Sequence, residues 1–111
     1  MKTVDVGKEF FAQLTNRDCR QREGKHTAIE FRAKYLSELD SEEAWKGDDV
    51  FIELDFQNVI RMGPSWANEV FAYFTQYARP ERILKKIRLI NISRVKRSII
   101  EQEIETGHTR N

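Results

Sequence analysis

A chain of 111 residues, 40% hydrophobic and 33% charged with a net charge of +1, fits one domain with one core and is too short for two. The balanced charge gives no push toward nucleic acid or an anionic membrane, and no apolar run reaches the length that crosses a bilayer. The single cysteine, Cys19, excludes an intrachain disulfide and a multi-cysteine zinc site, and no pattern marks a cofactor or a metal.

Taken in order, residues 1–6 read as a short edge strand with Val4 and Val6 inward, and Phe10, Phe11 and Leu14 add an apolar patch. Asp5, Lys8 and Glu9 interrupt any signal-peptide core, so a cytoplasmic location is expected. The 15–26 segment is polar and patternless and reads as a loop. Its Arg17, Arg20, Arg22 and Lys25 either bind an anion or face solvent. From about Thr27 to Trp45, Ala28, Phe31, Tyr35, Leu36 and Leu39 recur at helical spacing, with a break expected near Leu39 and a short turn from Ser41; Gly47 ends the region.

The 50–74 stretch organises the rest. Val50, Ile52, Leu54 and Phe56 fall on one side of an extended strand, with Phe51, Glu53 and Asp55 on the other, and this is the expected central strand. After a turn with Gly63 and Pro64 the spacing becomes helical, with Trp66, Val70, Phe71 and Phe74 on one stripe running to about Ala78. Ser65 sits at the helix start, either as its N-cap or as a hydroxyl presented to a partner or a kinase. Trp66 is either buried or an exposed anchor. Arg79 and Pro80 stop the helix. Ile87, Leu89, Ile90 and Ile92 then read as an interior strand covered on both faces. Ser93 caps a last helix whose core-facing stripe is Val95, Ile99, Ile100 and Ile104, and the 108–111 tail has nothing to bury.

Strand and helix alternate with short connections, which argues for an α/β sheet that is mainly parallel, with right-handed crossovers. The run from Gly63 to Phe74, preceded by the strand ending in Asp55, resembles the signature of the STAS-like bacterial domains of unknown function, with Ser65, Trp66, Glu69 and Phe71 matching. Thr27 to Leu36 is similar to that family's small-x-Glu-Phe-Arg segment, with Glu30, Phe31 and Arg32 aligned. The resemblance implies one small domain over 1–111, with a mainly parallel or mixed sheet of about four strands and helices mainly on one face. It also implies a non-enzymatic regulatory module. Phospho-regulated STAS proteins present the corresponding helix start to a histidine-kinase-type ATPase fold; here the usual Asp-Ser pair of that switch is replaced by Gly63-Pro64, with Ser65 one position later.

Other chemistry has less to stand on. Glycine-rich phosphate loops, paired histidines at ligand spacing and a nucleophile elbow are all missing from the sequence. Glu53 and Asp55 share one strand face as a conceivable acid/base pair, Asp55 being the better candidate because it lies near the strand's carboxyl end. Cys19 as a nucleophile would need a base such as His26. Between Glu38 and Asp55 there are eight acidic residues and one basic, and between Arg79 and Arg97 eight basic and one acidic. Such separation can steer a partner, favour self-contact or simply be solvated. The basic 79–97 region is the alternative reading, as a nucleic-acid surface, though no aromatics are interleaved to stack bases. The expected surface is therefore Ser65, Trp66, Glu69 and Asp55, for a protein partner, with homo-oligomerisation open and no membrane role.

Overall fold

The computed structural model describes residues 1–17 and 26–109. Three parallel strands, β1 (Lys2–Asp5), β3 (Ile52–Asp55) and β5 (Ile87–Ile90), form a sheet in the order β1-β3-β5. Two shorter strands, β2 (Gln13–Leu14) and β4 (Arg61–Met62), pair in parallel as a separate ladder. The helices are α1 (Val6–Glu9), α2 (Ala28–Tyr35), α3 (Pro64–Val70), α4 (Pro80–Lys86) and α5 (Arg94–Thr106). Tighter 3-10 turns occupy Ser37–Leu39, Glu43–Trp45 and Ala72–Gln76.

The expected α/β class and the central position of the 50–56 strand stand. Main-chain bonds from Phe51 to Lys86 and from Phe56 to Ile90 carry the β3–β5 ladder past the strand ends. Val4, Leu54 and Leu89 lie side by side in register and are buried, as are Ile52 and Ile87, so this face meets the helices. The opposite face carries the row Thr3, Glu53 and Arg88 at the surface, where Thr3 donates to Glu53 at 3.0 Å. Among the described residues, the helices pack on the face of Val4, Leu54 and Leu89.

Several expectations need correction. β5 is an edge strand, not an interior one: Arg88 interrupts the apolar run and is exposed on the open face. The mainly parallel sheet, by contrast, stands: every pairing among the described residues is parallel. Pro80 begins α4 as well as ending the preceding turn, because proline's fixed φ suits a first helical position. The 27–45 region is helical only to Tyr35, with Thr27 as its cap; it then folds back through two 3-10 turns, tied by the Trp45 indole N–H to the Leu39 carbonyl at 2.8 Å. Ser93 caps α5 as expected, but Val95 is 70% exposed and leaves the core stripe to Ile100 and Ile104.

The core runs from the sheet through α3 to α2 and α5. Phe31, Trp66, Phe71 and Phe74 are its largest fully buried side chains, with Phe31 and Trp66 ring centres 5.0 Å apart. Asp40, beyond α2, accepts hydrogen bonds from the hydroxyls of Tyr73 and Tyr77, at 2.9 and 2.6 Å. That carboxylate pushes the Tyr77 hydroxyl up to about 12. No described helix is long and apolar enough to cross a membrane.

Candidate functional site

α3 begins with Gly63 at the N-cap and Pro64 in the first turn, and no side chain caps it. Ser65 is therefore inside the helix and exposed, which corrects its expected role as a cap. Trp66, the next residue, turns inward and is fully buried between Phe31 and Phe71, so it is not an exposed anchor. Glu69, one turn further on, is buried as well. Of the four expected surface residues, only Ser65 is fully open to solvent.

Glu69 is the centre of a polar cluster that the local pattern did not reveal. Arg32 on α2 donates through Nη1 to the Glu69 carboxylate at 2.6 Å and to its main-chain carbonyl at 2.7 Å. Arg17 donates to the other carboxylate oxygen at 3.0 Å, and His108 Nε2 lies 3.3 Å from that same oxygen. Burial pushes the Glu69 carboxyl up, but the hydrogen bonds from Arg32 and Arg17, with the His108 ring close beside it, outweigh burial and hold the group below the ordinary glutamate range. A carboxylate saturated in this way is a poor base and a poor docking point; it is a clamp. Arg32 also stacks on Tyr73, 3.7 Å from the ring centre.

The clamp reaches the carboxyl-terminal end of the described chain. Gly107, at φ 89°, closes α5 by donating to the carbonyls of Glu103 and Ile104, and this left-handed turn, which glycine adopts freely, directs the chain back across α3. Asn68 then donates to the Gly107 carbonyl at 2.9 Å and accepts from Arg17 and the Thr109 N–H, each at 2.9 Å. Arg17 also donates to the Thr109 carbonyl. His108 and Thr109 are thus docked, contrary to the expected free tail, and Arg17 is committed to Glu69 and Asn68 instead of serving an external anion. Cys19, Arg20, Arg22 and Lys25 lie outside the described residues, as do 110–111.

Asp55 ends β3, where its carboxylate accepts the Gln57 N–H at 2.9 Å and turns the chain. The loop it starts presents Ile60, 73% exposed, and returns through the β2–β4 ladder to the start of α3. The N–H groups of Ile60 and Arg61 both donate to the Ala12 carbonyl, and the Gly63 N–H donates to that of Leu14. Phe11, 39% exposed and stacked flat on His26 at 4.0 Å, directly precedes Ala12, whose carbonyl takes the Ile60 N–H at 2.8 Å, on the segment whose pairing runs on to Gly63, two residues before Ser65. No periodicity marks Ile60 as exposed, since its neighbours Val59 and Met62 are buried.

Much of the basic region is spent within the molecule. Arg82 bonds the Gly47 carbonyl and Asp48, Lys86 bonds the carbonyls of Gly47 and Asp49, and Arg88 and Arg97 face Glu53 and Glu101. Among the described residues no group of three or more histidine, cysteine or acidic side chains is placed to hold a metal.

The comparisons agree with the geometry. No curated protein and no solved structure is significantly similar to this chain. The family model described as a STAS-like domain of unknown function matches residues 27–96, a span that holds α2, β3, α3 and β5 with both halves of the Arg32–Glu69 clamp. The chain belongs to the STAS-like domains of unknown function.

Proposed function

We propose that the protein is a non-enzymatic, cytoplasmic regulatory module that binds another protein through the seam at the start of α3, with Ile60, Phe11 and Ser65 in contact. The observation that carries this reading is Ile60, an apolar side chain 73% exposed beside an uncapped helix start with an open serine. The likeness to phospho-regulated STAS proteins supports a partner of the histidine-kinase-type ATPase fold. The nucleic-acid reading of the 79–97 region draws less support, because Arg82, Lys86, Arg88 and Arg97 already face acceptors in the same chain.

Affinity capture from the native host with wild type and Ile60→Asp tests the proposal. An ATPase-fold protein held by wild type and released by Ile60→Asp is the expected result, with stability unchanged within about 0.5 kcal/mol because the site is on the surface. Capture of the same proteins by both forms would remove the seam as the docking surface.

A further inference from the structure

Asn68, on α3, is 1% exposed, and its side-chain amide is held from two sides within the domain: Nδ2 donates to the Glu103 carboxylate at 3.0 Å, and Oδ1 accepts from Arg17 at 2.9 Å. An asparagine amide offers two N–H donors and two acceptor sites, so each atom has one more contact to make. Main chain makes both. Nδ2 reaches the Gly107 carbonyl and Oδ1 takes the Thr109 N–H, each at 2.9 Å, so one amide grips the backbone on both sides of His108. Arg17 adds a bond to the Thr109 carbonyl and one to its hydroxyl at 3.3 Å. The imidazole between them stands T-shaped to Tyr73, with ring centres 5.4 Å apart, and its Nε2 lies 3.3 Å from the Glu69 carboxylate.

The segment held in this way has little else to fix it. Gly107, His108 and Thr109 are outside the hydrophobic core, and Thr109 is exposed. They reach α3 because Gly107 turns at φ 89° and ψ 165°, a conformation essentially closed to other residues. The receiving side does not depend on them. With the segment away, Asn68 keeps Glu103 and Arg17, and Glu69 keeps Arg32 and Arg17. The groups that grip the backbone are therefore ordered in advance, which favours a visiting segment.

We propose that Asn68, Arg17, Glu69 and Tyr73 form a peptide-binding site, filled in cis by Gly107–Thr109, and that its ligand in trans is an extended segment of another protein with a histidine at its centre. The main-chain bonds are indifferent to the flanking side chains, whereas the carboxylate beside the Tyr73 ring selects the imidazole. The cis segment is then a built-in competitor at an effective concentration on the order of mM, and it admits only a ligand that matches its own contacts. This binding does not rest on the Ile60 seam.

Fluorescence anisotropy with a labelled peptide of the sequence of residues 105–111, titrated with the full chain, tests the idea. Two variants vacate the site by different routes. Gly107→Ala cannot keep the turn, and Thr109→Pro removes the N–H that Asn68 accepts while leaving α5 and the glycine in place. Each should bind the peptide at least about tenfold more tightly than wild type, because the competitor is gone. Thr109→Pro touches neither core nor helix, so it decides the matter if Gly107→Ala lowers the melting temperature. N-methylation of the peptide at the position of Thr109, or His108→Ala within the peptide, should weaken binding to the opened variants about tenfold. Folded Thr109→Pro that binds the peptide no more tightly than wild type would overturn the proposal. So would an N-methylated peptide that binds as well as the unmodified one.

Discussion

Arg32 on α2 and Glu69 on α3 are joined twice, at 2.6 Å through the carboxylate and at 2.7 Å through the main-chain carbonyl of Glu69. One residue before Arg32 and three before Glu69, Phe31 and Trp66 meet ring to ring. The two sequence motifs that resemble the family are therefore two halves of one helix–helix contact, one polar and one aromatic.

Removing the carboxylate leaves two guanidinium groups, on side chains only about 15% exposed, without their anion. Glu69→Ala should cost about 3–5 kcal/mol in denaturant unfolding, the range for breaking a buried ion pair by deleting one partner. The pH dependence follows in sign. The folded value of Glu69 lies below its unfolded value, so its contribution is complete above the ordinary glutamate range and is lost as pH falls through that range toward the depressed folded value. Glu69→Gln should flatten the acid limb of the stability–pH curve. An unchanged acid limb would mean that Glu69 carries no linkage.

Trp66 and Phe71 are fully buried, and each alanine substitution should destabilise by about 3–5 kcal/mol. A stable Trp66→Ala protein that had merely lost a partner would contradict the packing of Trp66 on Phe31. Urea melts of both variants make the comparison.

The α3 start separates what local sequence reveals from what it does not. The change from two-residue to helical spacing around Gly63 locates β3 and α3, because burial on one face dictates it. Ser65 reads as the cap because Ser caps well in isolation, yet Pro64 suits a first helical turn and moves the cap back to Gly63. α4 was hidden by the same residue type, since Pro80 reads equally as a stop and a start. Arg17, Glu69 and His108 meet across a sequence separation that no periodicity encodes, and the exposure of Val95 and Ile60 depends on which neighbours fold over them.

For Ser65 the exposed position inside the helix predicts a different pattern from a cap. Ser65→Ala should leave stability within about 0.5 kcal/mol of wild type, whereas alanine at a true cap would cost about 1 kcal/mol. Ser65→Asp should gain about 0.3–1 kcal/mol, because a negative charge in the first turn opposes the positive end of the dipole. If phosphorylation at Ser65 regulates docking, Ser65→Asp should also weaken capture of the partner while Ser65→Ala does not. Equal capture by the two variants would exclude that switch.

Gly7 connects the fold to the proposed surface. A Cβ placed there would sit 2.1 Å from the Asn58 carbonyl oxygen and 2.3 Å from its carbon, both main-chain atoms that cannot rotate away. Asn58 is held in that position by its own amide, which donates to Asp5 at 2.8 Å, and Ile60 follows two residues later. Alanine in α1 would gain about 0.5–1 kcal/mol from helical preference and a stiffer unfolded chain, but overpacking against fixed backbone costs about 1–3 kcal/mol or more. The clash should win. Gly7→Ala is therefore expected to lower the melting temperature and, by displacing the 57–60 loop, to weaken partner capture as Ile60→Asp does. Gly47→Ala, where nothing lies within 4 Å of the added carbon, is the matched control and should change neither. Thermal melts and capture on the two alanine variants decide the point: a Gly7→Ala protein as stable as the Gly47→Ala protein would rule out the close approach of α1 to Asn58.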